Sequence, residues 1–258
     1  MSLFAGGSGS VTDITDLPNR RIIDEAIYCD EEILVGDGPG ADQAIREYLK
    51  RRGYDNVTVY ASGSEVRSDV GGWEVRCPSP DQALGGDDCD RLNEIRMALD
   101  CDRAVMAWDG VSEGTRQTIL DLMALGKRVH NMFWVRETDE WYYMDGSVDA
   151  EFLFGAGCYE KPLNLWLDDL RPAPDGYVPC RSVFEAELYV ETAERCGIVI
   201  GQIDCDHDLG VYANLGGDGI ELVEWLAATG RFPPVALHTM NSVGRENMQS
   251  LIDRYWIR

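Results

Sequence analysis

The sequence predicts an α/β protein that consists of two doubly wound, parallel-sheet domains. Short apolar segments typical of strands alternate along the chain with segments whose apolar residues recur at helical spacing. Strands that are separated by helices pair in parallel, with the helices packed on the faces of the sheet. Glycine-rich or acidic clusters follow several of the apolar segments, at the strand ends where open α/β sheets bind their ligands.

The first half of the chain is predicted to hold strands and helices in strict alternation. NVTVYAS is rich in β-branched residues, as strands are, and NRRIIDEAIYCD carries its isoleucines on one helical face. The aromatic stretch MFWVRETDEWYYMDG predicts two strands around a turn. The other predicted strands are SLFAGG, EEILVG, RAVMAWDG and RVHNMFWV, and the other predicted helices are ADQAIREYLKRRG, RLNEIRMALDC and GTRQTILDLMALG.

The second half repeats this alternation over a shorter length. LNLWLDD, VIGQIDCD and PVALHTMN are predicted strands, and SVFEAELYVETAERCG, DGIELVEWLAATG and GRENMQSLIDRYW are predicted helices. The boundary is placed at FGAGCYEKP, residues 154–162. We therefore expect one domain over residues 1–158 and a smaller one over residues 161–258.

Composition excludes several classes of function. The formal net charge is −23, and such a surface repels the phosphates of duplex nucleic acid. No apolar stretch has the length of a membrane span, and the N-terminus lacks the pattern of a signal peptide. The eight cysteines form no Cys-x-x-Cys pair, which favours reduced thiols. The sequence thus predicts a cytoplasmic protein without a membrane or duplex nucleic-acid partner.

Three glycine clusters follow three predicted strands of the first half: AGGSGS, GDGPGAD and DGVSEGT. Glycine lets backbone amides approach a phosphate, and a helix N-terminus favours an anion. The alternative is a set of ordinary tight turns, with Asp42 capping its helix. For Trp73, a packed core position is favoured over stacking on a base. The candidate ligand-binding residues are Gly6, Gly7, Ser8, Gly36, Asp37, Gly38, Gly40, Asp42, Asp109, Gly110, Ser112, Gly114 and Thr115.

These motifs resemble the SLOG superfamily, especially its YspA-like branch, over roughly residues 2–135. The resemblance implies a Rossmann-like sheet that binds a nucleotide-derived small molecule, and it is compatible with a homo-oligomer formed through this domain. Phosphoribohydrolases of the superfamily carry a PGGxGTxxE loop. The matching loop here reads DGVSEGTRQTI, without the glutamate, so the resemblance favours ligand binding over glycosidic cleavage.

Acidic residues and histidines follow the predicted strands of the second half. Repulsion among neighbouring carboxylates requires a cation or protons, and oxygen ligands suit Mg²⁺ or Mn²⁺. Paired histidines suit general acid–base catalysis, and an arginine suits a phosphate oxygen. The alternative is a solvated acidic loop. The candidate residues are His207, His238, Asp206 and Asp208 for catalysis, Asp168, Asp169 and Asp206 for the metal, and Asn241 and Arg245 for the phosphate.

LWLDDLRPAPDGY, DCDHDLG, GGDGIELVEWL and HTMNSVGREN resemble the cyclic-phosphate-processing receiver-like domain over residues 163–255. The resemblance implies a flavodoxin-like fold, with Asp168 and Asp169 as the metal-binding acidic pair and Asp206 at the phosphoacceptor position. The family motif HSxNPxGR appears here as HTMNSVGR. No receiver-type lysine follows a fifth strand, so a phosphorelay role is not favoured.

Together these observations favour an enzyme whose first domain recognises a nucleotide and whose second domain hydrolyses a cyclic phosphate or phosphodiester. In this hypothesis His207 and His238 act as acid and base. The alternative is a non-catalytic sensor or sponge for a signalling nucleotide, as in conflict between phages and bacteria. A scaffold with two degenerate sites and a nucleotide N-glycosidase also stay open.

Overall fold

The computed structural model describes residues 1–14, 19–61, 67, 70, 72–77, 86–135, 140–145, 153–154 and 157–256. The chain divides into two compact units, Met1–Ser147 and Val148–Arg258. Each unit is built on its own parallel sheet with flanking helices, which confirms the predicted fold class. The predicted domain limits, 1–158 and 161–258, stay a prediction.

The sheet of the first unit has the strand order β4-β3-β2-β1-β5-β6-β7. All neighbours pair in parallel except β6 and β7, which are antiparallel. The strands are β1 (Ser2–Gly7), β2 (Glu32–Gly36), β3 (Val57–Tyr60), β4 (Glu74–Arg76), β5 (Arg103–Trp108), β6 (Arg128–Val135) and β7 (Glu140–Asp145). The helices are α1 (Asn19–Tyr28), α2 (Ala41–Arg52), α3 (Gly86–Asp100) and α4 (Glu113–Ala124).

The order in which strands are added to this sheet reverses between β1 and β5. From β1 the chain adds β2, β3 and β4 on one side and then β5 and β6 on the other. A crevice forms at such a switch point, outside the carboxyl ends of the two strands. Gly7 and Ala107 lie there in register. The first two glycine clusters and the third therefore meet at one edge of the sheet.

Burial explains why the sequence predicted these strands. Every side chain of β5 is buried, as are Ile33 to Gly36 of β2, so both strands form continuous apolar runs typical of parallel sheets. The two strands predicted around the turn in MFWVRETDEWYYMDG are confirmed as β6 and β7. Strand β4 was missed because it is short, polar and at the edge of the sheet.

The core position predicted for Trp73 is confirmed. Its indole ring belongs to the main apolar cluster of the first unit, and its Nε1–H donates to the carbonyl of Tyr54 at 3.0 Å. A buried indole with a satisfied N–H is a packing element. Trp73 therefore has no face to offer a base.

The sheet of the second unit is fully parallel and has the order β11-β10-β8-β9. Ser182 and Asn241 cap the helices that begin at Val183 and Ser242 by accepting hydrogen bonds from backbone amides. The elements are β8 (Leu163–Leu167), β9 (Val178–Cys180), α5 (Val183–Cys196), β10 (Ile200–Cys205), a 3₁₀ helix (Gly210–Asn214), α6 (Gly219–Thr229), β11 (Val235–Leu237) and α7 (Ser242–Tyr255).

Strand register sets the position of the polar residues in this unit. Cys205, the last residue of β10, pairs with Leu167 of β8 and with Leu237 of β11. The residues that follow these three strand ends, Asp168, Asp206 and His238, therefore share one edge of the sheet. The short strand β9 was missed by sequence, because it has only three residues, VPC, and one of them is proline.

Two predictions from composition can be compared with the structure. None of the helices in the described part of the chain is long and apolar enough to cross a membrane. None of the eight cysteines, all of which lie in the described part of the chain, forms a disulfide.

Substitutions of the two glycines that flank α2 distinguish the free-energy cost of a positive φ from the cost of a steric clash. Gly40 and Gly53 both have positive φ, 73° and 62°. A Cβ at Gly40 would lie 2.3 Å from the carbonyl oxygen of Gly9, whereas a Cβ at Gly53 meets nothing within 4 Å. We expect Gly53→Ala to cost about 1–2 kcal/mol and Gly40→Ala about 2–4 kcal/mol, measured by urea denaturation. Equal losses would show that Gly9 does not press on Gly40.

Candidate functional site

Asp168 is the most enclosed acidic group at the sheet edge of the second unit, with 0% of its side chain exposed. Its Oδ1 accepts the amides of Leu170 and Arg171. Its Oδ2 contacts Nε2 of His238 at 3.0 Å and accepts Nε–H of Arg171 at 2.5 Å. Burial works to raise the pKa of Asp168, but these hydrogen bonds outweigh it and hold the pKa below its usual value. Asp168 is therefore a fixed anion.

Arg171 joins the ends of three strands. Its guanidinium donates to Oδ2 of Asp168 after β8 and to Oδ2 of Asp206 after β10. A third hydrogen bond runs from its second terminal nitrogen to the carbonyl of His238 after β11, at 3.2 Å. Because the planar guanidinium holds its donors in a rigid arrangement, it fixes the distances between the two carboxylates and the carbonyl of His238.

His238 is held from both sides and from one face. Its Nδ1 lies 2.8 Å from Oδ1 of Asp204, and its Nε2 contacts Asp168. Its ring stacks on Trp166 with centroids 3.7 Å apart and planes inclined by 1°. Both nitrogens can donate to these carboxylates at once only in the doubly protonated ring. His238 is thus rigidly oriented between two anions.

His207 and Asp208 form a second histidine–carboxylate pair. Nδ1 of His207 lies 2.7 Å from Oδ1 of Asp208, and the same oxygen accepts Nδ2–H of Asn241 at 2.9 Å. The hydrogen bonds from Asn241 and His207 hold the pKa of Asp208 below its usual value. A carboxylate on Nδ1 leaves Nε2 as the nitrogen for proton exchange. Only 15% of the His207 side chain is exposed.

Glycines at two helix starts make room for this pair. A Cβ at Gly244, in the first turn of α7, would lie 2.3 Å from Cδ2 of His207. A Cβ at Gly219, at the start of α6, would lie 1.9 Å from the carbonyl oxygen of Asp206. The N-termini of both helices therefore press directly on the Asp206–His207 segment.

Of the two predicted phosphate ligands, Asn241 contacts His207, and both already use part of their hydrogen-bonding capacity. Asn241 caps α7 through Oδ1, which accepts the amide of Gly244 at 2.9 Å, and its Nδ2 holds Asp208. Arg245 donates one hydrogen bond to the carbonyl of Thr239 at 3.0 Å and retains further donors. The predicted role of both residues in phosphate binding stays a prediction.

The predicted metal set is only partly assembled. Ligand atoms of Asp168, Asp206 and His238 lie within 4.8 Å of one another, as do those of His207, Asp208 and Asp218. Asp169 belongs to neither group in the described part of the chain. Burial and the charges of Asp168 and Asp206 raise its pKa. Binding of Mg²⁺ or Mn²⁺ at this edge stays a prediction. Arg171 lies between Asp168 and Asp206, two of the predicted metal ligands.

Sequence reasoning missed Trp166, Arg171 and Asp204. Trp166 and Asp204 each lie two residues before a predicted site residue, so the period of two along a strand could have placed them on the same side. Arg171 stands three residues after Asp168 in the motif LDDLRP. Nothing in the spacing of a loop shows that its side chain turns back.

The first unit has a cavity of about 210 Å³ at its predicted site. Eight of the predicted ligand-binding residues line it: Gly7, Gly36, Asp37, Gly38, Asp42, Ser112, Gly114 and Thr115. Two further lining residues, Gly9 and Pro39, lie within the predicted glycine clusters. The sequence missed the others because they come from distant segments, chiefly α3: Tyr60, Arg67, Asp90, Asn93, Glu94 and Met97.

The other predicted residues of this unit, Gly6, Ser8, Gly40, Asp109 and Gly110, do not line the cavity. Ser8 donates to Thr115 at 3.2 Å and accepts the amide of Asp109. Asp109 accepts the amides of Val111 and Ser112. These contacts fix the turn before α4, and a direct role in ligand binding stays a prediction.

Asp42 does not cap α2, because the capping position belongs to Gly40. Its carboxyl instead lies beside the glycine turns, and a Cβ at Gly36 would be 2.3 Å from its Oδ2. Burial, opposed by Arg46 and aided by Glu94, raises the pKa of Asp42 to about 7. Arg46 donates to the carbonyls of Gly36 and Gly38. The cavity thus holds a carboxyl that is partly protonated at neutral pH.

Comparison with known protein families supports the receiver-like domain predicted in the second unit. Residues 163–254 match the model of the cyclic-phosphate processing receiver domain. No curated protein and no solved structure matches the chain. For the first unit, the resemblance to the SLOG superfamily rests on its motifs, and the structure adds an α/β domain with a parallel sheet.

We predict that Gly244→Ala displaces the ring of His207. A glycine-to-alanine change inside a helix ordinarily stabilises it by about 1 kcal/mol. Here the added methyl group overpacks against the imidazole and should instead cost about 1–3 kcal/mol. The ¹⁵N shifts of the His207 ring should change, while those of His238 serve as an internal reference. Ser250→Ala, on the exposed side of α7, is the control. Unchanged His207 signals would contradict the predicted displacement.

We predict that Asp42→Asn stabilises the protein more as the pH rises. The pKa of Asp42 is about 7 in the folded state and 3.8 in the reference state. The neutral carboxyl therefore favours folding fully below pH 4, and this contribution is lost as the pH rises through about 7. The difference in unfolding free energy between variant and wild type should grow over this window, by at most about 4 kcal/mol. Denaturation at a series of pH values measures it, and a constant difference would contradict it.

Proposed function

We propose that this protein binds a nucleotide-derived phosphate and hydrolyses a cyclic phosphate or phosphodiester bond in its second unit. The match of residues 163–254 to a cyclic-phosphate processing receiver domain supports a role in handling cyclic phosphates. The hydrolytic activity is our inference from the side chains at the sheet edge. The observation that carries it is the His207–Asp208 pair, with Nδ1 of the ring held at 2.7 Å.

His207 is proposed as the general base. With its Nδ1 held by Asp208, Nε2 takes a proton from a water molecule, and the water oxygen attacks phosphorus. One ester P–O bond breaks as the new P–O bond forms. The leaving oxygen receives a proton from Nε2 of His238, which exchanges its contact with Asp168 for one with the substrate. Asp204 on the opposite nitrogen keeps this ring in place.

The start of α7 is proposed as the phosphate anchor. Oδ1 of Asn241 accepts the amide of Gly244 and its carbonyl accepts the amide of Arg245, whereas the first amides of a helix lack intrahelical partners. These amides and the positive end of the helix dipole favour an anion. Arg245, in the same turn, adds charge-assisted donors. A phosphate bound there is adjacent to His207, whose ring touches Gly244.

The cavity of the first unit is proposed as the nucleotide-recognition site. Its glycine turns and the start of α4 offer backbone amides and hydroxyls to phosphate oxygens. Its carboxyl groups, including Asp37 and Asp90, can accept hydrogen bonds from sugar hydroxyls or base amino groups. The two proposed sites can be tested separately, because each draws on residues of one unit.

We predict that His207→Ala and Asp208→Asn each reduce turnover. The loss should be about 100-fold or more for His207→Ala, since a positioned general base contributes about 10²–10⁴-fold. The assay incubates the protein with cyclic nucleotides, 2′,3′-cyclic phosphates and ADP-ribose derivatives, and it detects products by mass spectrometry. Gln249→Ala, on the exposed side of α7, is the control.

Two results of this assay would contradict this proposal: the first would contradict the roles of the two histidines, and the second would contradict hydrolysis itself. One is undiminished turnover in the His207→Ala/His238→Ala double variant. The other is retention of a compound by the protein with unchanged mass, which would support the non-catalytic sensor or sponge instead.

A further inference from the structure

The acidic edge of the second unit contains its own cation. Asp168 and Asp206 are 0% and 13% exposed at their side chains, and the guanidinium of Arg171 bridges them. Two buried carboxylates side by side require a neutralising charge. Here a residue of the chain supplies that charge, and it supplies the hydrogen bonds at the same time.

The acceptor capacity of the two carboxylates is largely filled. Asp168 receives two backbone amides on Oδ1, and contacts from His238 and Arg171 on Oδ2. Asp206 receives the amide of His207 on Oδ1 and Arg171 on Oδ2. A divalent ion would need lone pairs on these same oxygens. It would also have to approach the positive guanidinium, which repels it.

Arg171 is held in this position by its backbone as well. Its amide donates to Oδ1 of Asp168, and its carbonyl accepts Nη1–H of Arg181 at 3.1 Å. Arg181 donates in turn to the carbonyl of Asp168 at 2.8 Å. The guanidinium therefore belongs to a braced loop, and removing it from the carboxylates would break several hydrogen bonds.

We propose that Arg171 is the resident counter-ion of Asp168 and Asp206 and that it excludes a divalent metal from this acidic pair. Arg171 is then a positioning residue, which holds the ends of β8, β10 and β11 together. The inference concerns the site proposed above for hydrolysis, but it does not depend on turnover. It replaces the expected Mg²⁺ or Mn²⁺ at these aspartates with a cation from the chain.

Binding of Mn²⁺ to the full-length protein tests this proposal, followed by electron paramagnetic resonance and calorimetry. Wild type should show only the weak background of an acidic surface. Arg171→Gln should bind Mn²⁺ about tenfold or more tightly, which corresponds to about 1.4 kcal/mol, because two aspartates lose their counter-ion. Arg171→Gln combined with Asp206→Asn should lose this gain.

Arg231→Gln is the matched control, since Arg231 pairs with Glu194 on the exposed surface of the same unit. It makes the same change in charge and should leave Mn²⁺ affinity at the wild-type level. Tight Mn²⁺ binding by the wild type that Asp206→Asn abolishes would overturn the proposal, even if Arg171→Gln fails to fold. Equal, weak binding by wild type and Arg171→Gln would also overturn it, since Arg171 would then exclude nothing. None of these outcomes depends on whether the protein hydrolyses a phosphate.

Discussion

Parallel strand pairing brings acidic groups together at the carboxyl edge of each sheet, and both candidate sites depend on how their repulsion is relieved. In the second unit, the register of β8, β10 and β11 places Asp168, Asp206 and His238 side by side. In the first unit, the crevice between β1 and β5 collects Asp37, Asp42 and residues of α3. Neighbouring carboxylates in such places need a cation or a proton.

The two units meet this requirement by different means. Arg171 neutralises the pair in the second unit, and its hydrogen bonds help to keep the pKa of Asp168 low. In the first unit, Arg46 acts against burial but does not overcome it, and the pKa of Asp42 rises to about 7. One edge therefore keeps its negative charge at neutral pH, whereas the other holds a proton that can be exchanged. The charge of the acidic edge in the second unit is therefore fixed at neutral pH, whereas the charge of the cavity in the first unit responds to pH.

The spacing of apolar residues along the sequence was enough to predict most of the strands and helices and some of the residues of each site. Long apolar runs such as RAVMAW identified the central strands, because both of their faces are buried. The aspartates and histidines at strand ends followed from the alternation of strands and helices. The three-residue edge strands β4 and β9 were missed, because β4 is polar and β9 contains a proline, whereas the apolar edge strand β11 was predicted. Arg171 and Glu94 could not be assigned by spacing, since their roles come from a loop that turns back or from contacts between distant segments.

In the loop after β8, Asp168 introduces a buried negative charge and also positions the arginine that compensates it. Oδ1 of Asp168 accepts the amides of residues 170 and 171, which is the hydrogen-bond pattern by which aspartate turns the following backbone. That turn directs the side chain of Arg171 back over the strand ends, where it meets Oδ2 of the same carboxylate. The connection from β8 to β9 contains no helix, so the arginine is free to cover the edge. The buried carboxylate of Asp168 thus sets the conformation of the loop that places Arg171 beside it. The negative charge at this edge is compensated by a residue of the chain, without an ion from solution.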